Sequence, residues 1–147
     1  MRLHTASEAV NFARRLEDES GKFYEDLSQR YTQDAAIFLS FAQENKKNIA
    51  QIERAYYGVI TDAIEGCFAF NINPNEYTFE SGLQEEVSYA DALGKAIKIE
   101  EKMVAFYSDA AEQSKSLMAD VTRNFVIVAR KRNDRIPKLR SLIERSG

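Results

Sequence analysis

The sequence predicts an all-α chain of four long amphipathic helices, with a long connection between the second and the third. Two observations carry this. Glycine and proline together number only 8 in 147 residues, and the polar punctuation gathers between Gly58 and Gly82. On either side, apolar residues recur at steps of three and four, the spacing that puts them on one face of a helix.

The first helix is expected to start near Thr5, where Thr5 and Glu8 have capping-box spacing, and to run to about Gln29. Its stripe is Ala6, Val10, Ala13, Leu16, Ser20, Tyr24 and Leu27. A short turn around Tyr31 to Gln33 leads to a second helix from Asp34 to about Tyr57, with Phe38, Phe41, Ala42, Ile49, Ile52 and Tyr56 facing inward. From Gly58 to Val87 the helical period fades, and Asn71, Asn73, Pro74, Asn75 and Gly82 mark turns. So long a connection is explained if a second helix pair runs back across the first, because the chain must then travel on the order of 35 Å, the length of a helix of ~24 residues. The third helix starts near Ser88, with Asp91 completing the capping pattern, and carries Leu93, Ala96, Ile99, Met103, Tyr107 and Ala110. A fourth spans about Met118 to Glu144 with Val121, Phe125, Val128, Ala129, Ile136, Leu139 and Ile143 inward. Pro137 lies inside it, where a proline removes one amide donor and collides with the carbonyl of Asn133, so a kink or break is expected.

Composition narrows the function. With 44% hydrophobic and 29% charged residues the chain suits one soluble domain over 1–147. Twenty Lys and Arg against 23 Asp and Glu provide no basic field, so neither nucleic acid nor an anionic membrane is expected as partner. No window has 18 consecutive apolar residues and Met1 to Val10 has no signal-peptide pattern, which makes the cytoplasm the expected compartment. One cysteine, Cys67, and one histidine, His4, exclude an internal disulfide, a CxxC pair and any metal cluster of several cysteines and histidines. Cys67 sits in the apolar run Gly66-Cys67-Phe68-Ala69-Phe70 and is expected to be a small buried residue.

The halves repeat. At an offset of 83 residues Val10, Ala13, Leu16, Glu17, Phe23 and Tyr24 fall on Leu93, Ala96, Ile99, Glu100, Phe106 and Tyr107. At an offset of 87 the second helix falls on the fourth, matching Phe38 with Phe125, Ala42 with Ala129 and Ile52 with Leu139. A duplicated helix hairpin is the simplest reading. Glu17 and Glu100 then stand out, each in line with an apolar stripe and seven residues before a tyrosine. A single such glutamate would be read as snorkelling to solvent; two at equivalent positions point inward. A carboxylate held in a helical interior needs a metal, a proton or a cationic partner.

On these residues the chain resembles the rubrerythrin branch of the ferritin-like proteins. Leu16-Glu17-Asp18-Glu19-Ser20-Gly21-Lys22-Phe23-Tyr24 and Ile99-Glu100-Glu101-Lys102-Met103-Val104-Ala105-Phe106-Tyr107 look like that family's first and third helices, and Phe38 to Glu53 and Phe125 to Leu139 like its second and fourth. The resemblance implies a ferritin-like four-helix bundle with a long crossover between helices 2 and 3, and a homodimer. It also implies two irons held by one glutamate from each of two helices and a Glu-x-x-His pair from each of the others. Glu17 and Glu100 match the single glutamates and are the metal ligands if a metal binds. The four remaining positions depart from the pattern: the first Glu-x-x-His falls on Asn45 and Asn48, the second on Arg132 and Arg135. Glu44 lies about 100° round the helix from Asn45, so a shift of register does not restore the set.

Two carboxylates with two guanidiniums are electrically balanced, as two irons with four carboxylates nearly are. The expectation is therefore a buried network of Glu17, Asn45, Asn48, Glu100, Arg132 and Arg135 in place of the metals, flanked by Tyr24 and Tyr107 as packed core residues with bonded hydroxyls. One alternative puts Arg132 and Arg135 on a solvated basic face with Arg130, Lys131 and Lys138; a separate one reads the two tyrosines as redox-active phenols next to a cofactor. In function, a metal-free binding or structural module without a cofactor is expected. The alternative is a di-iron oxidoreductase or iron-handling protein with an altered site. The iron-sulfur rubredoxin module that often accompanies the family's bundle is not expected, since it needs four cysteines.

Overall fold

In the computed structural model, which describes residues 1–146, Thr5 opens helix α1 (Ala6–Arg30). Its hydroxyl accepts the Glu8 amide at 3.2 Å, and the Glu8 carboxylate accepts the Thr5 amide at 3.0 Å, so the capping box closes from both sides. A tight turn over Thr32–Asp34 leads into α2 (Ala35–Val59), and a short helix α3 (Asp62–Glu65) follows, capped by Thr61. Ser88 caps α4 (Tyr89–Ser114) by accepting the Asp91 amide at 3.1 Å. The last two helices are α5 (Ala119–Asn133) and α6 (Arg135–Ser146). Among the described residues the fold is thus all-helical, and a single backbone bridge, Leu3 to Ile72, ties the N-terminal residues to the connection.

The single fourth helix expected from the sequence is two helices divided at Asp134, three residues ahead of Pro137. Pro137 withdraws the amide that would have bonded the Asn133 carbonyl, so the ladder of α5 stops there. In exchange the proline sits in the first turn of α6, where an amide has no partner within the helix and none is lost.

Helix α1 packs along α2, α4 along α5 and α6, and α2 meets α5. The shared core takes Phe12, Leu16, Phe23 and Leu27 from α1, Phe38 and Ile52 from α2, Ile99, Met103 and Phe106 from α4, Phe125 from α5 and Leu139 from α6. Ile49, Tyr56 and Ile143, expected inside, are half-buried. The connection from Ile60 to Ser88 is more ordered than its turn residues suggest. Phe70, Ile72 and Tyr77 are buried. Along it, the Asn71 amide donates to Gln113 Oε1 at 2.7 Å, the Tyr77 hydroxyl to Asp109, Lys102 to the Thr78 carbonyl at 2.8 Å and Lys95 to the Gly82 carbonyl. As the connection advances its partners on α4 retreat, so it runs the length of α4 from C-terminal to N-terminal end. Cys67, expected to be buried, is exposed: it follows α3 at the surface and donates its thiol to the Ala63 carbonyl.

Candidate functional site

Glu17 is carried by α1 and Glu100 by α4, both on the core stripe, and neither side chain has solvent exposure. Arg132, in the last turn of α5, reaches between them and is itself fully buried. Its Nη2 donates to Glu17 Oε1 at 2.7 Å and its Nε to Oε2 at 3.3 Å, a bidentate approach along one edge of the guanidinium. Nη1 donates to Glu100 at 2.8 Å (Oε2) and 3.1 Å (Oε1). One guanidinium thus joins carboxylates from two helices. Burial by itself would lower the pKa of Arg132, but the charges of Glu100 and Glu17 outweigh it and raise the group above its ordinary value.

Arg135 begins α6 and is equally enclosed, with 1% of its surface exposed. Its Nη2 donates to Asn45 Oδ1 at 2.8 Å and to the Phe41 carbonyl at 3.1 Å, and its Nη1 to Glu100 Oε2 at 3.4 Å. The guanidinium carbon also stands 4.7 Å from the centroid of the Phe41 ring and 5.5 Å from that of Tyr24, which adds cation–π attraction. The helix break does not turn either arginine to solvent.

The two asparagines of α2 complete the interior. Asn45 Nδ2 donates to Ser20 Oγ at 2.9 Å and to the Glu17 carbonyl at 3.1 Å; Asn48 Nδ2 donates to Glu17 Oε1 at 3.2 Å. Tyr24 and Tyr107 are fully buried and exchange partners across the halves: Tyr24 donates to Glu100 Oε2 and Tyr107 to Glu17 Oε2, each at 2.6 Å. This is the pattern a two-fold related pair of hairpins produces. Burial first, and then the adjacent carboxylate, push both phenols well above their ordinary pKa. They are therefore neutral phenols that donate to Glu100 and Glu17.

Three participants escape the sequence reading. Ser20 was visible as a stripe residue one turn from Glu17, and its hydroxyl accepts from Arg132 Nη2 at 2.9 Å while donating to the Glu17 carbonyl at 3.1 Å. Glu44, off the stripe of α2, meets Arg135 from the rim, its Oε1 accepting from Nη2 at 2.9 Å and from Nε at 3.2 Å. Lys131 extends to Gln51 Oε1 at 3.2 Å and Asn48 Oδ1 at 3.5 Å. Neither Glu44 nor Lys131 carries a periodic signal, because each touches the network from the helix flank.

Among the described residues no buried side-chain nitrogen or oxygen lacks a partner. This matters energetically, because a buried ion pair offsets its desolvation only when the remaining donors and acceptors are satisfied. The same saturation makes the donor set a poor fit to a pair of irons. Among the described residues Glu17 and Glu100 are the two buried carboxylates, histidine is missing from all six positions, and a cation bridging the glutamates would have to expel Arg132.

No protein-family model matches the chain, and comparison with curated proteins and with solved structures gives no match either.

Proposed function

We propose that this chain is a rubrerythrin-like four-helix bundle in which a Glu/Arg/Asn network stands where relatives of that kind hold two irons, and that it works as a metal-free binding or structural module, as a homodimer. The bundle reading is supported by the packing of α1 on α2 and of α4 on α5 and α6, and by a connection that returns along the whole of α4. One observation carries the functional reading: the Arg132 guanidinium lies within hydrogen-bonding distance of both Glu17 and Glu100, at 2.7 and 2.8 Å. It supplies in the dry interior the positive charge that a metal would otherwise supply. A fixed network of this kind does no redox work, and gives the interior one arrangement of its helices.

The second reading, an oxidoreductase or iron-handling protein with an altered site, draws on Glu44, a third carboxylate one guanidinium away from Glu100. Metal uptake separates the two. The unmodified protein, supplied with excess iron or cobalt, is expected to take up no stoichiometric metal. The variant Asn45→Glu, Asn48→His, Arg132→Glu, Arg135→His, which restores the ligand pattern of the resemblance, is expected to bind about two ions per chain. Two tightly bound irons in the unmodified protein would overturn the first reading in favour of the second. A folded fourfold variant that binds none would refute the descent of the network from a metal site.

A further inference from the structure

Between α2 and the start of α6 lies a cleft of about 460 Å³ that the Glu17–Arg132–Glu100 centre does not use. Arg135, Lys47, Lys131 and Lys138 line it together with two carboxylates, Glu44 and Asp134. Arg132 and Arg135 are already balanced by Glu17 and Glu100, so the three lysines against Glu44 and Asp134 leave a surplus of one positive charge, which becomes two when Glu44 withdraws. Among the described residues Lys47, Lys131 and Lys138 make no ion pair with any carboxylate. Lys131 contacts amide oxygens only.

On this side Arg135 presents its Nε/Nη2 edge to Glu44. Its Nε and Nη2 are a planar pair of donors suited to two oxygens of one anion, yet both converge on a single oxygen, Oε1 of Glu44. The Glu44 side chain is 37% exposed and can withdraw into water, whereas Arg135 would stay in place on Asn45, the Phe41 carbonyl and Glu100. Glu44 has the properties of an internal ligand that a better anion displaces.

The geometry points to a binding site for a soluble phosphate monoester, whose phosphate replaces Glu44 on the Nε/Nη2 edge of Arg135 while Lys47, Lys131 and Lys138 neutralise it. A monoester carries roughly −1.5 to −2 charges at neutral pH, which matches the surplus of two left in the cleft once Glu44 has withdrawn. It also offers three oxygens where Glu44 engages Arg135 with one of its two. The cleft volume exceeds that of a phosphate group alone and leaves room for the organic part of the ligand. The inference gives the binding reading above a ligand class, and rests on it in one respect: Arg135 serves as a fixed guanidinium and not as a neighbour of metal.

Calorimetric titration of the full, metal-stripped chain with phenyl phosphate at low ionic strength tests the site. Saturable one-to-one binding is expected, weakened at least about tenfold by Lys47→Met combined with Lys138→Met, which loses two charge-assisted contacts on exposed side chains. Glu44→Gln should tighten binding about tenfold by removing the competitor. Asp134→Asn removes the same charge from the cleft without touching Arg135 and should tighten it less. Absence of saturable binding in both the unmodified protein and Glu44→Gln would overturn the site, and equal effects of Glu44→Gln and Asp134→Asn would overturn the displacement of Glu44. Binding to phosphatidic acid vesicles without binding of phenyl phosphate would assign the cleft to a lipid headgroup and refute the soluble ligand. Stoichiometric iron in the unmodified protein would strike at the metal-free reading and, through Arg135, at this site with it, whereas a metal-free protein that ignores phosphate would strike at this site alone.

Discussion

Arg132→Met removes the one cation shared by Glu17 and Glu100 while keeping much of the side-chain volume. Each carboxylate lies within 3 Å of the guanidinium, and two unit charges ~4 Å apart interact by about 4 kcal/mol at an effective dielectric constant of about 20. The variant does not lose both interactions in full, because Glu100 keeps Arg135 at 3.4 Å and Tyr24, and Glu17 keeps Tyr107 and Asn48. Glu17 is left with no cationic partner, and stranding a buried charge in this way costs about 3 to 5 kcal/mol. For a chain of this size the melting temperature should then fall by roughly 6 to 20 °C. Urea unfolding followed by far-UV circular dichroism measures the loss directly. The companion variant Arg132→Met, Glu17→Gln, Glu100→Gln removes the stranded charges as well and should recover most of the stability. A loss below about 1 kcal/mol in the single variant would mean that the pairs are solvated. A triple variant no more stable than the single one would mean that the cost is lost packing and not uncompensated charge.

Arg135→Leu should destabilise by less, about 1.5 to 3 kcal/mol, because Glu44 is free to turn to water and Glu100 retains Arg132 as its closer partner; a loss as large as that of Arg132→Met, measured in the same urea series, would contradict this ranking. Tyr24 and Tyr107 set an alkaline limit. Their folded pKa values lie well above the ordinary value near 10, so above that pH the folded state holds protons that the unfolded state releases. The stability these two groups contribute is present in full below about pH 10 and is lost as the pH rises from there toward their folded-state values, at roughly 1.4 kcal/mol per pH unit for each. Phenolate absorbance near 295 nm should therefore include a component that emerges only together with the loss of helical dichroism; complete ionisation of all seven tyrosines before unfolding would refute the assigned bonds.

What the sequence by itself determined rests on local geometry. The 3.6-residue period places Glu17 and Glu100 on buried faces whatever those faces meet, and the caps at Thr5 and Ser88 act within one turn of chain. The resemblance to a Glu-x-x-His pattern added Asn45, Asn48, Arg132 and Arg135, and the internal repeat sets the first two at positions equivalent to the last two. Pro137 marked the region of the break through the carbonyl it cannot bond.

The tertiary structure alone decided which group meets which. Arg132 and Glu17 are 115 residues apart, Tyr24 and Glu100 are 76, and Tyr107 and Glu17 are 90. A few tens of degrees of rotation about any one helix would change these partners while leaving every local pattern intact. Glu44 and Lys131 sit on helix flanks, where only the approach of a neighbouring helix brings them to the network. The apolar neighbours of Cys67 suggested burial, but its exposure depends on where the turn after α3 lies on the surface. Periodicity is written into a helix residue by residue, whereas a pairing between helices exists only once their axes, rotations and crossings have been chosen together.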